Sequence, residues 1–102
     1  MSLQNVQDQV DKWIKTYTSG YWKPLEMIAR LTEETGELAR EINHVHGPKK
    51  KKDTEDIKEI AEEIADIIFT VSCLANSLSI NLDDAFKKVM DKYNERDSKR
   101  WK

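Results

Sequence analysis

The chain reads as an all-α protein, a four-helix bundle. Three observations carry that reading. Apolar residues recur at intervals of three and four along most of the 102 residues, no run alternates with a period of two, and breaker residues fall at three places that divide four periodic segments. Val6, Val10, Trp13, Ile14 and Tyr17 predict an amphipathic first helix from near residue 3 to about residue 18, stopped by Ser19-Gly20. Pro24 suits the first turn of a second helix, where its missing amide proton is not needed. Leu31, Thr35, Leu38, Ile42 and Val45 form that helix's expected core stripe, and Arg30, Glu34, Glu37 and Glu41 form a second stripe bordering it. Gly47-Pro48 ends the helix, and Lys49 to Lys52 make a charged connection.

A third helix is expected from near Thr54. Its apolar positions Ile57, Ile60, Ile64, Ile67, Ile68, Val71, Leu74 and Leu78 start on one face and then spread around the axis, which predicts a central element in the bundle or at a subunit interface. Ser79-Ile80-Asn81 ends it. Asn81 is a good N-cap for a fourth helix, Asp83 and Asp84 favour its first turn, and Leu82, Ala85, Phe86, Val89 and Tyr93 are its expected buried face.

Residues 1–102 fit one domain with a modest core, near the size at which oligomerisation often supplies the remaining buried surface. A charged fraction of 35% with a net charge of only -2 argues against a dedicated nucleic-acid binder. The lone Cys73 rules out a disulfide framework or thiolate metal site. The N-terminus lacks the basic start and apolar run of a signal peptide, and no apolar segment reaches bilayer length, so a soluble cytoplasmic protein without a membrane partner is expected.

Two acidic signatures stand out against this background. Glu33-Glu34-Thr35-Gly36-Glu37 lies on the second helix and Glu63-Ile64-Ala65-Asp66 on the third; residues three apart share a helix face, so Glu34 with Glu37 and Glu63 with Asp66 each make an acidic stripe. Like charges about 4 Å apart repel by roughly 1 to 4 kcal/mol per pair at water-like to near-surface dielectric. Facing stripes therefore need a counter-ion. Asp66 is the sole ionisable carboxylate from Ile64 to Leu74, and a charge buried there alone would cost several kcal/mol, so it is expected to bind metal or pair with a base. Neither Lys nor Arg lies within a turn of it, which favours metal. Four carboxylates are hard oxygen ligands suited to Mg²⁺ or Mn²⁺. Neither acidic signature carries the His of the Glu-x-x-His pairs that di-iron bundles need. Because Mg²⁺ usually also binds phosphate oxygens, nucleotide hydrolysis is the leading reaction class.

Glu33-Glu34-Thr35-Gly36-Glu37-Leu38, followed after a basic loop by Glu62-Glu63-Ile64-Ala65-Asp66-Ile67-Ile68-Phe69, resembles the EExxE and ExxD signature of the MazG-like nucleoside triphosphate pyrophosphohydrolases. The resemblance runs from the Trp-containing first helix through Lys92-Tyr93-Asn94-Glu95-Arg96. It implies an all-α NTP pyrophosphatase bundle completed by oligomerisation, as a homodimer or dimer of dimers. It also implies Mg²⁺-dependent cleavage between the α and β phosphates of a nucleoside triphosphate, giving monophosphate and pyrophosphate. By position the metal ligands would be Glu34, Glu37, Glu63 and Asp66, with Glu33 orienting water or acting as general base, or lying on a solvated face. Glu41 and Glu62 fit a solvated face better. Lys92, Asn94 and Arg96 resemble the family's basic C-terminal segment, where Lys92 and Arg96 would meet phosphate or remain solvated charges.

Weaker signals complete the candidate site. Trp22, in a connection, is available to stack on a base, whereas Trp13 fits the core stripe. Asn76 would bond a base or sugar, or satisfy a neighbouring helix. His44 and His46 suit a surface role, and the four lysines a solvated loop or a lid over phosphates. Two rival functions follow from the same residues: a non-catalytic helical dimerisation module, whose acids pair with Lys and Arg, and a nucleotide sensor without turnover.

Overall fold

The computed structural model describes residues 2–47 and 55–100; the Lys49 to Lys52 connection lies outside them. The described residues form four helices and no strand: α1 (Leu3–Tyr17), α2 (Pro24–His46), α3 (Glu55–Ser77) and α4 (Leu82–Arg100). The bounds that the sequence predicts fall within a residue or two of those observed, because local chemistry fixes them. Ser2 caps α1, its Oγ accepting from the Asn5 amide at 3.1 Å. Pro24 opens α2, and Glu26 reaches back to the Lys23 amide at 3.0 Å. Gly47 closes α2 with φ of -79°, so it is needed there for space; a Cβ would collide with the Asn43 carbonyl oxygen.

The end of α3 is a Schellman turn. The Ile80 amide donates to the Ala75 carbonyl at 2.8 Å and the Ser79 amide to the Asn76 carbonyl at 3.2 Å, with Ser79 in the left-handed region at φ 57°. α4 leaves the turn bent by 106° from α3 and packs on α1. Asp83 fastens this junction: its two carboxylate oxygens accept from the Leu3 and Gln4 amides, each at 3.1 Å, which satisfies the open N-terminus of α1.

α3 is the central element, packed most extensively on α2 and next on α1. The core between them is small: Val10 and Ile14 of α1, Met27 of α2 and Cys73 of α3 are buried, with Val6, Tyr21, Phe69 and Leu74 against them. Burial pushes the Cys73 thiol up to about 11, so it behaves as a small apolar side chain. Trp13 meets Phe69 edge-on at 5.7 Å, in keeping with a packing role.

Two expected faces are only half covered within one chain. Ile42 on α2 and Ile64 and Ile68 on α3 remain exposed, as do Phe86, Val89 and Tyr93 on α4. The periodicity correctly marks apolar faces; among the described residues no further element lies over them. Glu41 departs from its expected solvated face and is buried at 6% exposure.

A polar seam runs through the junction of α1, α3 and α4. Gln7, 4% exposed, donates through Nε2 to Asn76 Oδ1 at 2.9 Å and to the Ile80 carbonyl at 2.8 Å, while its Oε1 accepts from the Leu82 amide at 2.9 Å. Asn76 Nδ2 donates to the Gln7 carbonyl at 3.0 Å and to the Tyr21 hydroxyl at 2.9 Å. The Tyr21 hydroxyl donates in turn to Asp11 at 2.6 Å, and Lys15 sits 2.7 Å from the same carboxylate. Burial and the Asp11 bond push the Tyr21 phenol up to about 12, and Lys15 with Tyr21 holds Asp11 below its ordinary range.

Candidate functional site

α2 and α3 carry the two acidic signatures about two and a half turns from their connection, the register of a helical hairpin. That register brings Glu34, Glu37 and Glu63 together: each offers a carboxylate oxygen, and these oxygens all lie within 4.8 Å of one another. Glu34 Oε2 and Glu63 Oε2 are buried and accept no hydrogen bond. Buried carboxylate oxygens without donors are costly. The cost appears in Glu63, whose carboxyl is pushed up to about 7 by its burial first and by the adjoining Glu34 and Glu37 carboxylates second. Three converging carboxylates, two of which carry a buried oxygen without a donor, are a donor set suited to a hard divalent cation.

The other expected site residues fall at graded distances from this group. Asp66 is exposed and stands outside the converging three; its backbone carbonyl accepts from Thr70 Oγ1 at 2.9 Å. Its apolar sequence neighbours occupy other faces of α3, so Asp66 is not the buried charge they suggest, although it remains one turn from Glu63. Glu33 is exposed and, with Glu26, Ala29, Arg30 and Glu34, lines an opening of about 550 Å³ beside the acids. Trp22, 38% exposed, lines an adjoining recess of about 160 Å³ with Glu26, Met27 and Arg30.

Asn76 is occupied elsewhere: both protons of its amide nitrogen are donated within the seam, so the structural alternative describes it and the base contact does not. Lys92 and Asn94 are exposed on α4. Arg96 forks onto Asp97 at 2.8 and 3.0 Å and lies 5.0 Å from the Tyr93 ring centroid. Neither recess beside the acids is lined by α4. His44 is partly buried, and its Nδ1 lacks a partner, unlike a plain surface residue. Arg30 was visible in the sequence only as a member of the acidic stripe; its Nε lies 3.9 Å from Glu34 Oε1 and its guanidinium 5.9 Å from the Trp22 ring centroid.

A helical hairpin with carboxylates converging from both arms defines an all-α protein with an acidic candidate site, and comparison with known proteins narrows the class. The profile of the MazG nucleotide pyrophosphohydrolase domain matches residues 23–101. Bacillus subtilis YpjD is 53% identical over 100 residues, covering 98% of this chain and 90% of the relative. The crystal structure of B. subtilis YPJD, proposed to be a pyrophosphatase, superposes with a TM-score of 0.84 at 52% identity, over 92% of this chain and 96% of that one. A Bacillus-conserved MazG protein, a nucleotide pyrophosphohydrolase, superposes with a TM-score of 0.79 at 44% identity, over 92% and 90% of the two chains.

The chain belongs to the MazG nucleotide pyrophosphohydrolase family. It is accordingly an enzyme, a nucleotide pyrophosphohydrolase, and the dimerisation-module and sensor readings give way.

Proposed function

We propose that the substrates are nucleoside triphosphates, deoxynucleotides among them, hydrolysed between the α and β phosphates with Mg²⁺ as cofactor. Mn²⁺ is the natural substitute. The observation that carries this reading is the convergence of Glu34, Glu37 and Glu63 with two donor-less buried oxygens. These three would hold the cation, with Asp66 joining from the next turn of α3. Bound there, Mg²⁺ would supply charge neutralisation for the triphosphate and Lewis acidity for the attack of water.

The chain's own residues do the rest. The oxygen of water bonds to the α phosphorus, the bond from that phosphorus to the α–β bridging oxygen breaks, and pyrophosphate departs with the bridging oxygen. Glu33, facing the opening beside Glu34, accepts the proton that water gives up. Trp22 offers an indole face to the base at the adjoining recess, without demanding a particular base. Lys92, Asn94 and Arg96 are further phosphate candidates, Arg96 only by leaving Asp97. Asn76 acts indirectly, by fixing Tyr21 next to Trp22.

The working form is proposed to be a homodimer or dimer of dimers in the cytoplasm. In support, Ile67, Ile68, Val71, Phe86 and Val89 line an apolar groove of about 330 Å³ between α3 and α4, and no single described helix is long and apolar enough to cross a membrane.

The test is hydrolysis of a panel of ribo- and deoxynucleoside triphosphates with and without Mg²⁺, separating monophosphate plus pyrophosphate from diphosphate plus phosphate. Asp66→Asn runs in parallel. Monophosphate and pyrophosphate, formed only with Mg²⁺ and lost in the variant, are expected. Diphosphate as product, or turnover unchanged by a chelator, would overturn the reading.

A further inference from the structure

Arg30 stands one turn before Glu34 on α2, yet does not form a close ion pair with it. Its Nε is 3.9 Å from Glu34 Oε1, beyond hydrogen-bond reach, and no hydrogen bond of its guanidinium occurs among the described residues. Instead the guanidinium sits 5.9 Å from the Trp22 ring centroid, at cation–π distance. Nearly half of the side chain, 47%, is exposed. Arg30 also lines both the opening along Glu33 and Glu34 and the recess of Trp22 and Met27, so it stands where the two meet.

Arg96 makes the contrast. Its fork is filled by both carboxylate oxygens of Asp97, whereas the five donors of Arg30 point at no oxygen within bonding distance. A guanidinium placed over an indole at cation–π distance, beside carboxylates but not bonded to them, keeps its fork open for two oxygens of a phosphate. As a structural contact the pair would contribute little, since water screens an exposed ion pair.

We propose that Arg30 is a substrate-binding residue, donating its guanidinium fork to the phosphate chain of the nucleotide from its place over the Trp22 ring. The inference rests on the triphosphate reading of the site above. It places the phosphates along Glu33 and Glu34 and the base towards Trp22, with Arg30 at the join. Lysine keeps the charge but neither the fork nor the flat stacking face, so it is a poor substitute.

The test compares wild type, Arg30→Ala and Arg30→Lys in steady-state hydrolysis of the preferred triphosphate, and in the rise of melting temperature on adding Mg²⁺ alone. Alanine at an exposed helix position preserves folding, which the metal-free melting temperature checks. Arg30→Ala is expected to raise KM about 10- to 100-fold, the loss of charge-assisted hydrogen bonds, with kcat within about threefold. Arg30→Lys should fall closer to alanine than to wild type, and the Mg²⁺-induced rise should persist in both. An unchanged KM, a loss confined to kcat, or a lost response to Mg²⁺ would overturn the role of Arg30 alone. A wild-type protein that neither cleaves triphosphates nor responds to Mg²⁺ would instead remove the proposed function, and this inference with it.

Discussion

Two polar clusters each draw one residue from α3, Asn76 in one and Glu63 in the other, and they are built on opposite terms. In the seam of Gln7, Asn76, Tyr21 and Asp11, donors meet acceptors at 2.6–3.0 Å. In the group of Glu34, Glu37 and Glu63, acceptors meet acceptors, and two buried oxygens have no donor at all. A closed network of hydrogen bonds needs nothing from outside and specifies how helices dock. An all-acceptor cluster raises the energy of the folded chain until something positive arrives. The difference separates a structural polar site from a functional one without reference to conservation.

The comparison breaks most readily at Glu63. Glu63→Gln is expected to raise the metal-free melting temperature by relieving repulsion, while removing the Mg²⁺-induced rise and lowering turnover by about 10²- to 10³-fold, the scale of losing one major electrostatic group. A metal-free protein made less stable would show that the cluster is not under strain. Next in size is Gln7→Ala, which leaves Asn76 Oδ1, the Ile80 carbonyl and the Leu82 amide without their partner. It should cost about 1–3 kcal/mol, lowering the melting temperature by about 4–8 °C per kcal/mol, with the Mg²⁺ response intact.

The two regions should also carry opposite pH signatures. The folded Glu63 carboxyl titrates at about 7 against an ordinary 4.5, so its protonated form favours folding. That stability is complete below about 4.5 and is lost as pH rises towards 7. Asp11 is held below its ordinary 3.8, so its contribution is present above that value and fades as pH falls through the folded value. Melting scans of metal-free protein from pH 3 to 8 should therefore show a decline on each side, and added Mg²⁺ should remove only the neutral one. Tyr21→Phe is a smaller change, expected to cost about 0.5–1.5 kcal/mol by cutting the link between Asp11 and Asn76.

Much of this was legible in the residues, and the misses have physical causes. Pro24, Gly47 and the Ser79-Ile80-Asn81 break place the helix ends because caps and turns are local chemistry. The convergence of Glu34, Glu37 and Glu63 was legible because helical spacing on two neighbouring helices leaves few ways to face each other. Asp66 was misread as buried, since apolar neighbours in sequence say little about which helix face a residue occupies. Gln7 went unnoticed, although Gln7, Val10 and Ile14 are spaced as one buried stripe; a polar residue on an apolar stripe was the available signal. Arg30 and the coverage of Asn76 depend on the exact placement of Trp22 and Tyr21, which no periodicity encodes.

The Schellman turn at Ser79 has a mechanical consequence. α4 has 19 residues and spans about 28 Å, so it acts as a lever pivoting where it leaves α3. A swing of only about 10° at the pivot carries its far end through about 5 Å, more than the length of a hydrogen bond. Gln7 holds the pivot at the Ile80 carbonyl and the Leu82 amide, and Asp83 holds it to the start of α1. Where Lys92 and Arg96 stand in space is thus set by a glutamine more than eighty residues before them.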